Sequence, residues 1–430
     1  MIAVLPSLLS VAVLALSTLA STEINAVTPV SSSIVLPLRY KSYASTIDHD
    51  VIRGTDGLEK RRHHRHRKPP GAAGLKASTN RAYVTDVEIG AQKYELSVAT
   101  SYGDTWVLGN GTICLDLHTR DPLEAPNCSF GPVYTSDETF RQIQNQHFRI
   151  FYPENYNYAY GKLGLERVKI GGLTLSNQTI GVATEAAWDG DGDSSGVLGL
   201  GREWETKAYA DSDSSEEGFV TKRPYTPISA NIPFQNNLPQ VFSLALDGRG
   251  GSLAFGYATA PHASADFVRT PFLDYDPRYL ISLDDEGLIF EGSNQHIDLL
   301  QEHRREVNGG TPALPARIES STPLIIVPRV IAENFAAVFQ PKAISDGSQI
   351  FHVDCKAKAP PLAVRIAGRE FKISAEDLII DVGDQGCISA VMSFDDEELS
   401  VLGQPFLKSV YAVFDIGAGE MRFAAQDRDD

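Results

Sequence analysis

The stretch of sequence that decides the fold is Tyr94-Glu95-Leu96-Ser97-Val98-Ala99-Thr100-Ser101-Tyr102-Gly103-Asp104-Thr105-Trp106-Val107. Its first part alternates apolar and polar residues, with Tyr94, Leu96 and Val98 on one face, which is typical of a half-buried strand. The alternation then breaks into a loop of small residues, and an apolar run resumes at Trp106. We therefore expect a strand that leads into a loop and then into a second apolar segment.

The second half of the chain repeats this arrangement. A similar loop lies at Ala316-Arg317-Ile318-Glu319-Ser320-Ser321-Thr322-Pro323-Leu324. Further along each half, two apolar residues are followed by a glycine, at Val197-Leu198-Gly199 and at Val401-Leu402-Gly403. The apolar pair predicts a strand beneath the loop, and the glycine allows two backbones to approach closely. A duplication of this kind predicts two related halves.

The remainder of the sequence has an all-β texture. Short alternating runs are separated by Gly, Pro, Asn and Asp, as in Tyr83–Gly90 and Val168–Leu175. One helical stripe lies between Pro328 and Phe339, where apolar residues recur at helical spacing, and we interpret it as core packing. About 350 residues beyond the leader are enough for two domains.

Together these stretches resemble the active-site loops of pepsin-like aspartic peptidases (family A1), and in particular secreted, fungal-type homologues. In that family the first strand leads into Asp-Thr-Gly-Ser-Ser-Asp-Leu-Trp-Val, and here Thr100, Asp104, Trp106 and Val107 match the pattern. The resemblance extends from about residue 83 to residue 425. It implies an all-β, bilobal fold, in which two pseudo-symmetric, β-barrel-like lobes lie around a cleft.

The catalytic aspartates of that family are substituted in this chain. The resemblance places Ala99 and Glu319 at the two dyad positions, and Ser101 and Ser321 where the family has glycine. The family's reaction needs two carboxylates that share one proton, so that one acts as acid while the other acts as base. Ala99 supplies no titratable group, and Glu319 carries its carboxylate on a longer stem. The pattern therefore predicts a pseudoenzyme with no intact catalytic pair.

Other positions of the family pattern are retained. Thr100 and Ser320 match the hydroxyl residues that brace the two loops against each other. Tyr152 matches the tyrosine of the flap, which implies a ligand-binding role. A shifted alignment would offer Asp104 as a catalytic residue, but Asp104 already matches a non-catalytic aspartate of the family before Trp106.

The flap departs from the family pattern after its tyrosine. Pro153 and Asn155 stand where glycine residues give the tip of the hairpin its freedom. Because proline fixes φ and removes a backbone donor, we expect weaker hydrogen bonding to a bound peptide. Three further tyrosines fit either ordinary strand packing or ligand binding, namely Tyr156, Tyr158 and Tyr160.

The beginning of the chain is similar to the leader of an exported protein. Residues 1–20 are expected to be a signal peptide, since an apolar run ends in small residues and is too short for a membrane span. Residues 21–78 are polar and contain the basic cluster Lys60–Lys68, which indicates a propeptide with a processing site. We expect the secreted form to begin between Arg61 and Ala77. The alternatives are an amphipathic or buried N-terminal helix for the first segment, and a nuclear address or a nucleic-acid patch for the second.

Beyond this leader we expect an N-terminal lobe over residues 79–263 and a C-terminal lobe over residues 264–430. The residues before Thr79 hold 10 Lys or Arg against 5 Asp or Glu, whereas the whole chain has a net charge of −17. The body is therefore strongly acidic, which argues against nucleic-acid binding. No other apolar stretch approaches the roughly 18 residues of a membrane span, so we expect no membrane anchor.

Four cysteines allow three disulfide connectivities. The resemblance favours the two lobe-internal bridges of the family, Cys114–Cys128 and Cys355–Cys387. Each of these pairs lies within one half of the chain, and an oxidising export route permits them.

Two sequons predict N-glycosylation, at Asn110 and at Asn177, while a third at Asn127 is disfavoured because its neighbour is predicted to be bridged. The acidic run Asp189–Ser194 imitates the start of a calcium loop. It lacks the glycine and the glutamate that such a loop has at its sixth and twelfth positions. We interpret it as an acidic surface loop, and we expect no metal and no cofactor.

These observations lead to one main hypothesis and two alternatives. The main hypothesis is a secreted, extracellular and monomeric aspartic peptidase homologue that is catalytically silent and binds a peptide, a protein or a glycan in its cleft. The first alternative is an aspartic endopeptidase with weak or non-standard acid proteolysis through Glu319 and water. The second alternative is an extracellular structural protein that uses neither the cleft nor the flap. Acid proteolysis and peptide binding distinguish the three.

Overall fold

A computed structural model of the protein describes residues 34–42, 81–123, 130–152, 157–188, 190–211, 221–256, 266–284, 287–290, 305–307, 311–345, 349–383, 386–393 and 399–426. Several sequence predictions fall outside these residues. They concern the signal peptide, the basic cluster Lys60–Lys68, the sequon at Asn127, the cysteine at Cys128 and the flap tip at residues 153–156.

The first half of the chain forms mostly strands. In β3, which covers Gln92–Ala99, Tyr94, Leu96 and Val98 are buried while the residues between them are half-exposed, as the alternating sequence predicts. The strands of this half are β1 (Ile34–Ser42), β2 (Arg81–Ile89), β3, β4 (Trp106–Cys114), β5 (Arg141–Tyr152), β6 (Asn157–Ile170), β7 (Leu173–Ala187), β8 (Gly196–Gly199), β9 (Ala208–Ala210), β10 (Val241–Leu246) and β11 (Gly250–Phe255).

The second half is also built from strands, which are mostly shorter. They are β12 (Val268–Pro271), β13 (Leu280–Leu283), β14 (Leu288–Ile289), β15 (Arg305–Val307), β16 (Thr311–Ile318), β17 (Ile325–Ile326), β18 (Ile344–Ser345), β19 (Phe351–Val353), β20 (Leu362–Ile366), β21 (Arg369–Ile373), β22 (Ile379–Asp381), β23 (Cys387–Ser389), β24 (Val391–Met392), β25 (Ser400–Leu402), β26 (Val410–Asp415) and β27 (Glu420–Ala425).

Helices are few among the described residues. They are α1 (Ile228–Asn236), α2 (Arg329–Ala337), α3 (Gln404–Leu407) and two 3₁₀ turns at Glu203–Glu205 and Ala375–Leu378. The stripe predicted between Pro328 and Phe339 is confirmed as α2, which buries Ile331 and Phe335. Pro328 precedes the first helical residue of α2, a position at which a missing backbone donor costs little.

The strands form one large sheet and three smaller ones. The large sheet has 14 strands in the order β12-β27-β26-β10-β11-β1-β2-β3-β8-β4-β7-β6-β5-β9, and the others have 6, 3 and 4 strands. The two halves of the chain meet in the large sheet, because β10 of the first half pairs with β26 of the second. The predicted all-β, bilobal architecture is confirmed.

The two halves place equivalent strands in the same way. In the first half β3 and β8 run parallel, with Ala99 beside Gly199. In the second half β16 and β25 run parallel, with Ile318 beside Leu402. Each strand that enters a predicted active-site loop is therefore supported by the apolar-apolar-glycine segment of its own half.

Aromatic packing joins the halves beneath these loops. Phe242 and Phe414 stack with their ring centroids 4.4 Å apart, and Tyr279 meets Phe414 edge-on at 4.9 Å. The hydroxyl of Tyr279 donates a hydrogen bond of 2.7 Å to the carbonyl of Leu200, directly after the first glycine segment. Buried aromatic pairs of this kind contribute about 0.5–1.5 kcal/mol each beyond the area that they bury, so they help to fix the position of the first loop.

The predicted bridge Cys355–Cys387 is confirmed. Cys114 is disulfide-bonded as well, but its predicted partner Cys128 lies outside the described residues, so that pairing stays a prediction. We expect replacement of both Cys355 and Cys387 by serine to lower the free energy of unfolding by about 3–4 kcal/mol, because the bridge closes a loop that is then freed in the unfolded chain. Denaturant unfolding measures this loss. The single variant Cys355→Ser should lose nearly as much, and an unchanged midpoint in both would contradict the expectation.

Candidate active site

The first loop begins where β3 ends. Ala99 is 2% exposed, and its carbonyl accepts a hydrogen bond of 2.8 Å from the backbone N–H of Leu200. Gly199, beside it on β8, has no room for a side chain, since an added Cβ would lie 2.3 Å from the carbonyl oxygen of Asp104. The glycine of this segment is therefore required by the close approach of two backbones.

The second loop is built in the same way. Glu319 follows the last residue of β16, and its backbone N–H donates to the carbonyl of Leu402 over 3.1 Å. At Gly403, an added Cβ would lie 2.2 Å from the carbonyl oxygen of Leu324. The pseudo-symmetry predicted from the two sequence segments thus holds at the glycine contacts, since each added Cβ would meet a carbonyl oxygen of the loop in its own half.

Two hydroxyl side chains connect the loops, and we call these contacts the brace. The hydroxyl of Thr100 donates to the carbonyl of Ile318 and accepts from the backbone N–H of Ser320, both over 3.0 Å. In return, the hydroxyl of Ser320 donates to the carbonyl of Val98 over 2.9 Å. Thr100 and Ser320 are both almost completely buried. Residues more than 200 positions apart in the sequence are thereby held within hydrogen-bond distance, and the brace brings Ala99 and Glu319 to the same place.

Ala99 lies in apolar surroundings. It is part of a buried cluster that includes Trp106, Tyr152 and Val197. Ser101, two residues further on, is 6% exposed, and its hydroxyl has no hydrogen-bond partner among the described residues. This side of the site therefore offers one buried hydroxyl and no carboxyl group at the predicted dyad position.

Glu319 supplies the carboxyl group of the other side. Its side chain is buried, and Oε1 accepts a hydrogen bond of 3.1 Å from the hydroxyl of Ser321. Arg278 lies within electrostatic range: burial is the largest single influence and lowers the pKa of Arg278, but the hydrogen bond to Asp276 and nearby carboxylate charges, that of Glu319 among them, together outweigh burial and raise the pKa. Glu319 therefore lies within the electrostatic range of a guanidinium that is itself paired with Asp276.

An aromatic cluster lies next to Ala99. The indole Nε1 of Trp106 donates to the hydroxyl of Tyr152 over 3.0 Å. The ring of Tyr152 packs edge-on against Tyr102 at 4.7 Å and against Trp188 at 5.5 Å, and Phe130 stacks on Trp188 at 5.5 Å. We call these five residues the aromatic wall. Tyr152 and Trp106 were singled out from the sequence, whereas no local signal pointed to Phe130 or Trp188, which enter from separate segments.

The outer face of the flap hairpin carries two of the tyrosines that the sequence left open. Tyr158 and Tyr160 are half-buried on β6. The guanidinium of Arg120 lies 5.5 Å from the ring centroid of Tyr158, a distance that permits a cation–π contact. Burial raises the pKa of the Tyr158 hydroxyl. These contacts account for Tyr158 by packing, and a binding role for either tyrosine stays a prediction.

Asp104, the residue that a shifted alignment would offer, has structural partners. It is 1% exposed, Oδ1 accepts a hydrogen bond of 2.9 Å from the hydroxyl of Tyr225, and Oδ2 accepts one of 2.8 Å from the backbone N–H of Lys207. Burial raises the pKa of Asp104 to about 6, against the opposing effect of the two hydrogen bonds. The carboxyl group therefore holds the loop onto the segment after β8.

This raised pKa predicts a pH dependence of stability. A carboxyl whose pKa is 3.8 in the unfolded chain and about 6 in the folded protein binds its proton more tightly when folded. Its contribution is fully present below about pH 4 and is lost as the pH rises through 6, with a total of about 3 kcal/mol. We expect Asp104→Asn, which cannot ionise, to gain stability relative to the wild type at pH 7 but not at pH 4.

Denaturant unfolding at both pH values measures this difference. Tyr225→Phe is a matched control: it removes a hydrogen bond that favours the charged carboxylate, so the fall in stability towards neutral pH should become steeper. An identical pH dependence in the wild type and in Asp104→Asn would contradict the assignment.

The remaining candidate residues lie at the surface. Asn110 and Asn177, the two sequons, are exposed. In the acidic run, Asp191 Oδ1 accepts the backbone N–H groups of Asp193 and Ser194, so that carboxylate oxygen caps its own turn. No group of three or more His, Cys, Asp or Glu with metal-binding geometry occurs in the described part of the chain. None of the described helices is long and apolar enough to cross a membrane.

Paired loops, a reciprocal brace and a flap tyrosine bonded to a tryptophan define a pepsin-like architecture. A sequence model of the eukaryotic aspartyl proteases matches residues 82–426. The chain therefore belongs to the eukaryotic aspartyl protease family, and the resemblance inferred from the sequence is confirmed at this level.

Individual relatives agree with this assignment. The chain is 32% identical over 366 residues to a probable aspartic-type endopeptidase of Aspergillus fumigatus. The aligned region covers 80% of this chain and 78% of that protein. It is 24% identical over 416 residues to an acid protease of Saccharomycopsis fibuligera, with 92% and 96% covered. Among solved structures, the aspartic proteinase from Irpex lacteus is similar in fold, with a TM-score of 0.59, 17% identity and coverage of 80% of this chain and 94% of that one.

Proposed function

We propose that the protein is a secreted member of the aspartyl protease family that binds an extended peptide between its lobes and does not cut it. The observation that carries the proposal is the pair of residues held together by the brace. One is Ala99, buried among apolar side chains, and the other is Glu319, the only carboxyl group at the dyad positions. The reaction of the family requires a second carboxylate at this place, and Ala99 cannot supply it.

The absence of a second carboxylate prevents peptide hydrolysis because the two carboxylates of an active pair have different roles. One must accept a proton from the attacking water while the other donates a proton to the peptide carbonyl. Glu319 can take either role in one step but not both. Its carboxylate also sits on a longer stem and is bonded to Ser321. Loss of paired acid–base groups removes about 10⁴-fold or more in rate.

Several structural features around Ala99 and Glu319 support the proposed binding of an extended peptide. Thr100 and Ser320 make the brace, and the two glycine segments lie beneath it. The aromatic wall, with Tyr152 and Tyr102 in contact, supplies an apolar side to the site. The buried hydroxyl of Ser101 has no hydrogen-bond partner among the described residues.

A second candidate function is an aspartic endopeptidase with weak or non-standard activity through Glu319 and water. The observation that favours it is the 32% identical relative of Aspergillus fumigatus, which is named a probable aspartic-type endopeptidase. In either case we propose that the protein is exported after removal of residues 1–20 and is cleaved within Lys60–Lys68. Its two lobes then cover residues 79–263 and 264–430. The exported protein is a monomer that is glycosylated at Asn110 and Asn177. A protein or glycan ligand is a variant of the same proposal.

Binding of the purified protein to a library of extended peptides tests the proposal. We expect a micromolar dissociation constant, which corresponds to a binding free energy of about −8 kcal/mol. The peptides should be recovered intact. Tyr152→Ala should weaken binding by about tenfold or more, since it removes the ring against which Tyr102 and Trp188 pack. Phe234→Ala is the matched control, because Phe234 is 80% exposed on α1. No binding at acid or neutral pH, or equal affinity in the two variants, would favour a structural protein instead.

A further inference from the structure

Strand β1 belongs to the segment that the sequence marks as a propeptide, yet it lies inside the large sheet. It pairs antiparallel with β11 over six residues, from Ile34 beside Phe255 to Arg39 beside Gly250. On its other edge it pairs antiparallel with β2 over four residues, from Arg39 beside Val84 to Ser42 beside Arg81. In the described part of the sheet, β1 is the strand that connects β11 to β2.

Side chains of β1 are part of the core. Leu36 and Leu38 are 3% and 4% exposed and belong to the same buried cluster as Leu253 and Phe255. Gly250 on β11 has room for no side chain, since an added Cβ would lie 2.2 Å from the carbonyl oxygen of Leu38. The neighbouring strand is therefore shaped to accept the backbone of β1.

Polar contacts hold β1 from the side of β2 and β3. The guanidinium of Arg39 donates to Asp86 over 2.6 Å and to Glu95 over 3.0 Å, which joins β1 to β2 and β3. The hydroxyl of Thr85 donates to the carbonyl of Pro37 over 3.2 Å. These polar contacts add to the backbone pairing and to the buried apolar contacts of β1.

Contacts also reach the second half of the chain. The ring of Tyr40 lies 5.0 Å from that of Tyr83, and the ammonium group of Lys408 lies 5.0 Å from the centroid of Tyr40. Lys408 directly follows α3, behind the second glycine segment. Removing β1 would leave unpaired backbone groups on β2 and β11 and would separate the sheet at that point, which is costly for buried strands.

The connection from β1 to β2 joins neighbouring positions of the sheet. Ser42 lies beside Arg81, so the chain leaves the sheet and returns to it at neighbouring positions. The basic cluster Lys60–Lys68 lies within this connection. The sequence that would become the new terminus, residues 69–80, holds two prolines, two glycines and Leu75 as its only large apolar residue, so it is a poor substitute for β1.

We propose that cleavage within Lys60–Lys68 yields a two-chain protein, in which the fragment that carries β1 stays bound as a permanent strand of the sheet. The partner that fits the slot between β2 and β11 is thus a peptide of this same chain. The inference is independent of whether the cleft binds or cuts a ligand.

The test replaces Lys60–Lys68 in the full chain by the recognition sequence of a site-specific protease. The purified protein is cut and passed over a size-exclusion column, and the eluted peak is analysed by denaturing mass spectrometry. We expect the fragment with β1 to elute with the body in equimolar amount. Elution of the fragment apart from the body would overturn the proposal.

Variants of β1 sharpen the result. Leu36→Asp combined with Leu38→Asp should abolish retention of the fragment after cutting, whereas Pro37→Ser, at an exposed position between them, should leave it unchanged. Should the double variant fail to fold before cutting, Arg39→Ala serves in its place, since it removes the contacts to Asp86 and Glu95 while leaving the apolar pairings. We expect it to raise the fraction of fragment lost severalfold, and equal retention in wild type and Arg39→Ala after a denaturant pulse would contradict the assigned role of the strand.

Discussion

The variant that combines Ala99→Asp, Ser101→Gly, Glu319→Asp and Ser321→Gly is expected to cleave an acid-denatured protein at a rate about 10⁴-fold above that of the wild type. The physical reason is that it restores two short carboxylates on the braced loops. At that separation the two groups share one proton, so one can act as base and the other as acid. The two glycine replacements remove the Cβ atoms and hydroxyls of residues that stand beside the dyad positions.

Single changes are the matched controls for this result. Ala99→Asp alone should be slower than the combined variant by on the order of a hundredfold or more, because its partner would still be the longer Glu319 and a misplacement of about 1 Å costs that much. The contrary result is a variant with all four substitutions that folds with a wild-type unfolding midpoint and yet shows no activity above background. That result would contradict the assignment of residues 99 and 319 as the dyad positions. Inhibition of the gained activity by pepstatin would support it.

The second large effect is expected from the brace. Thr100→Val keeps the shape of the side chain but leaves the carbonyl of Ile318 and the backbone N–H of Ser320 without their partner. Each buried group left unpaired costs about 1–3 kcal/mol, so we expect a loss of about 4 kcal/mol in the free energy of unfolding. The measurement is denaturant unfolding at neutral pH.

Thr112→Val is the control for the brace. The hydroxyl of Thr112 likewise lies within hydrogen-bond distance of two backbone groups, the carbonyls of Gly109 and Ala183, but it lies on a half-exposed segment where water can replace it. We expect a loss of about 1 kcal/mol or less there. A double-mutant cycle of Thr100→Val with Ser320→Ala should reveal coupling, since the two residues share the same interface. Additive losses would mean that the two hydroxyls act independently.

The parts of the fold that the sequence predicted are those whose signals are local. The alternation of Tyr94, Leu96 and Val98 predicts β3 because one face of that strand is buried, and the stripe after Pro328 predicts α2 for the same reason. The brace could be expected at Thr100 and Ser320 because both lie in short, recognisable loops. In each case the residues that carry the signal are also the residues that make the contact.

Other features depend on contacts between distant segments, which no local pattern reveals. Helix α1 contains Pro233 and has no regular apolar stripe, so it is held by packing against β7 rather than by its own sequence. The aromatic wall recruits Phe130 and Trp188 from separate segments. The raised pKa of Asp104 arises from burial that only the folded protein provides. The place of β1 inside the large sheet was likewise not predictable from the short apolar run Ile34-Val35-Leu36 in an otherwise polar segment.

Acid proteolysis by the purified wild-type protein tests the central claim most directly. The protein is incubated in mild acid with a denatured protein substrate, with and without pepstatin, beside a Glu319→Gln variant prepared in the same way. A contaminating peptidase would act equally in both preparations. We predict no pepstatin-sensitive cleavage above background in either. Pepstatin-sensitive cleavage by the wild type that disappears in Glu319→Gln would contradict the proposal and identify the protein as an active endopeptidase.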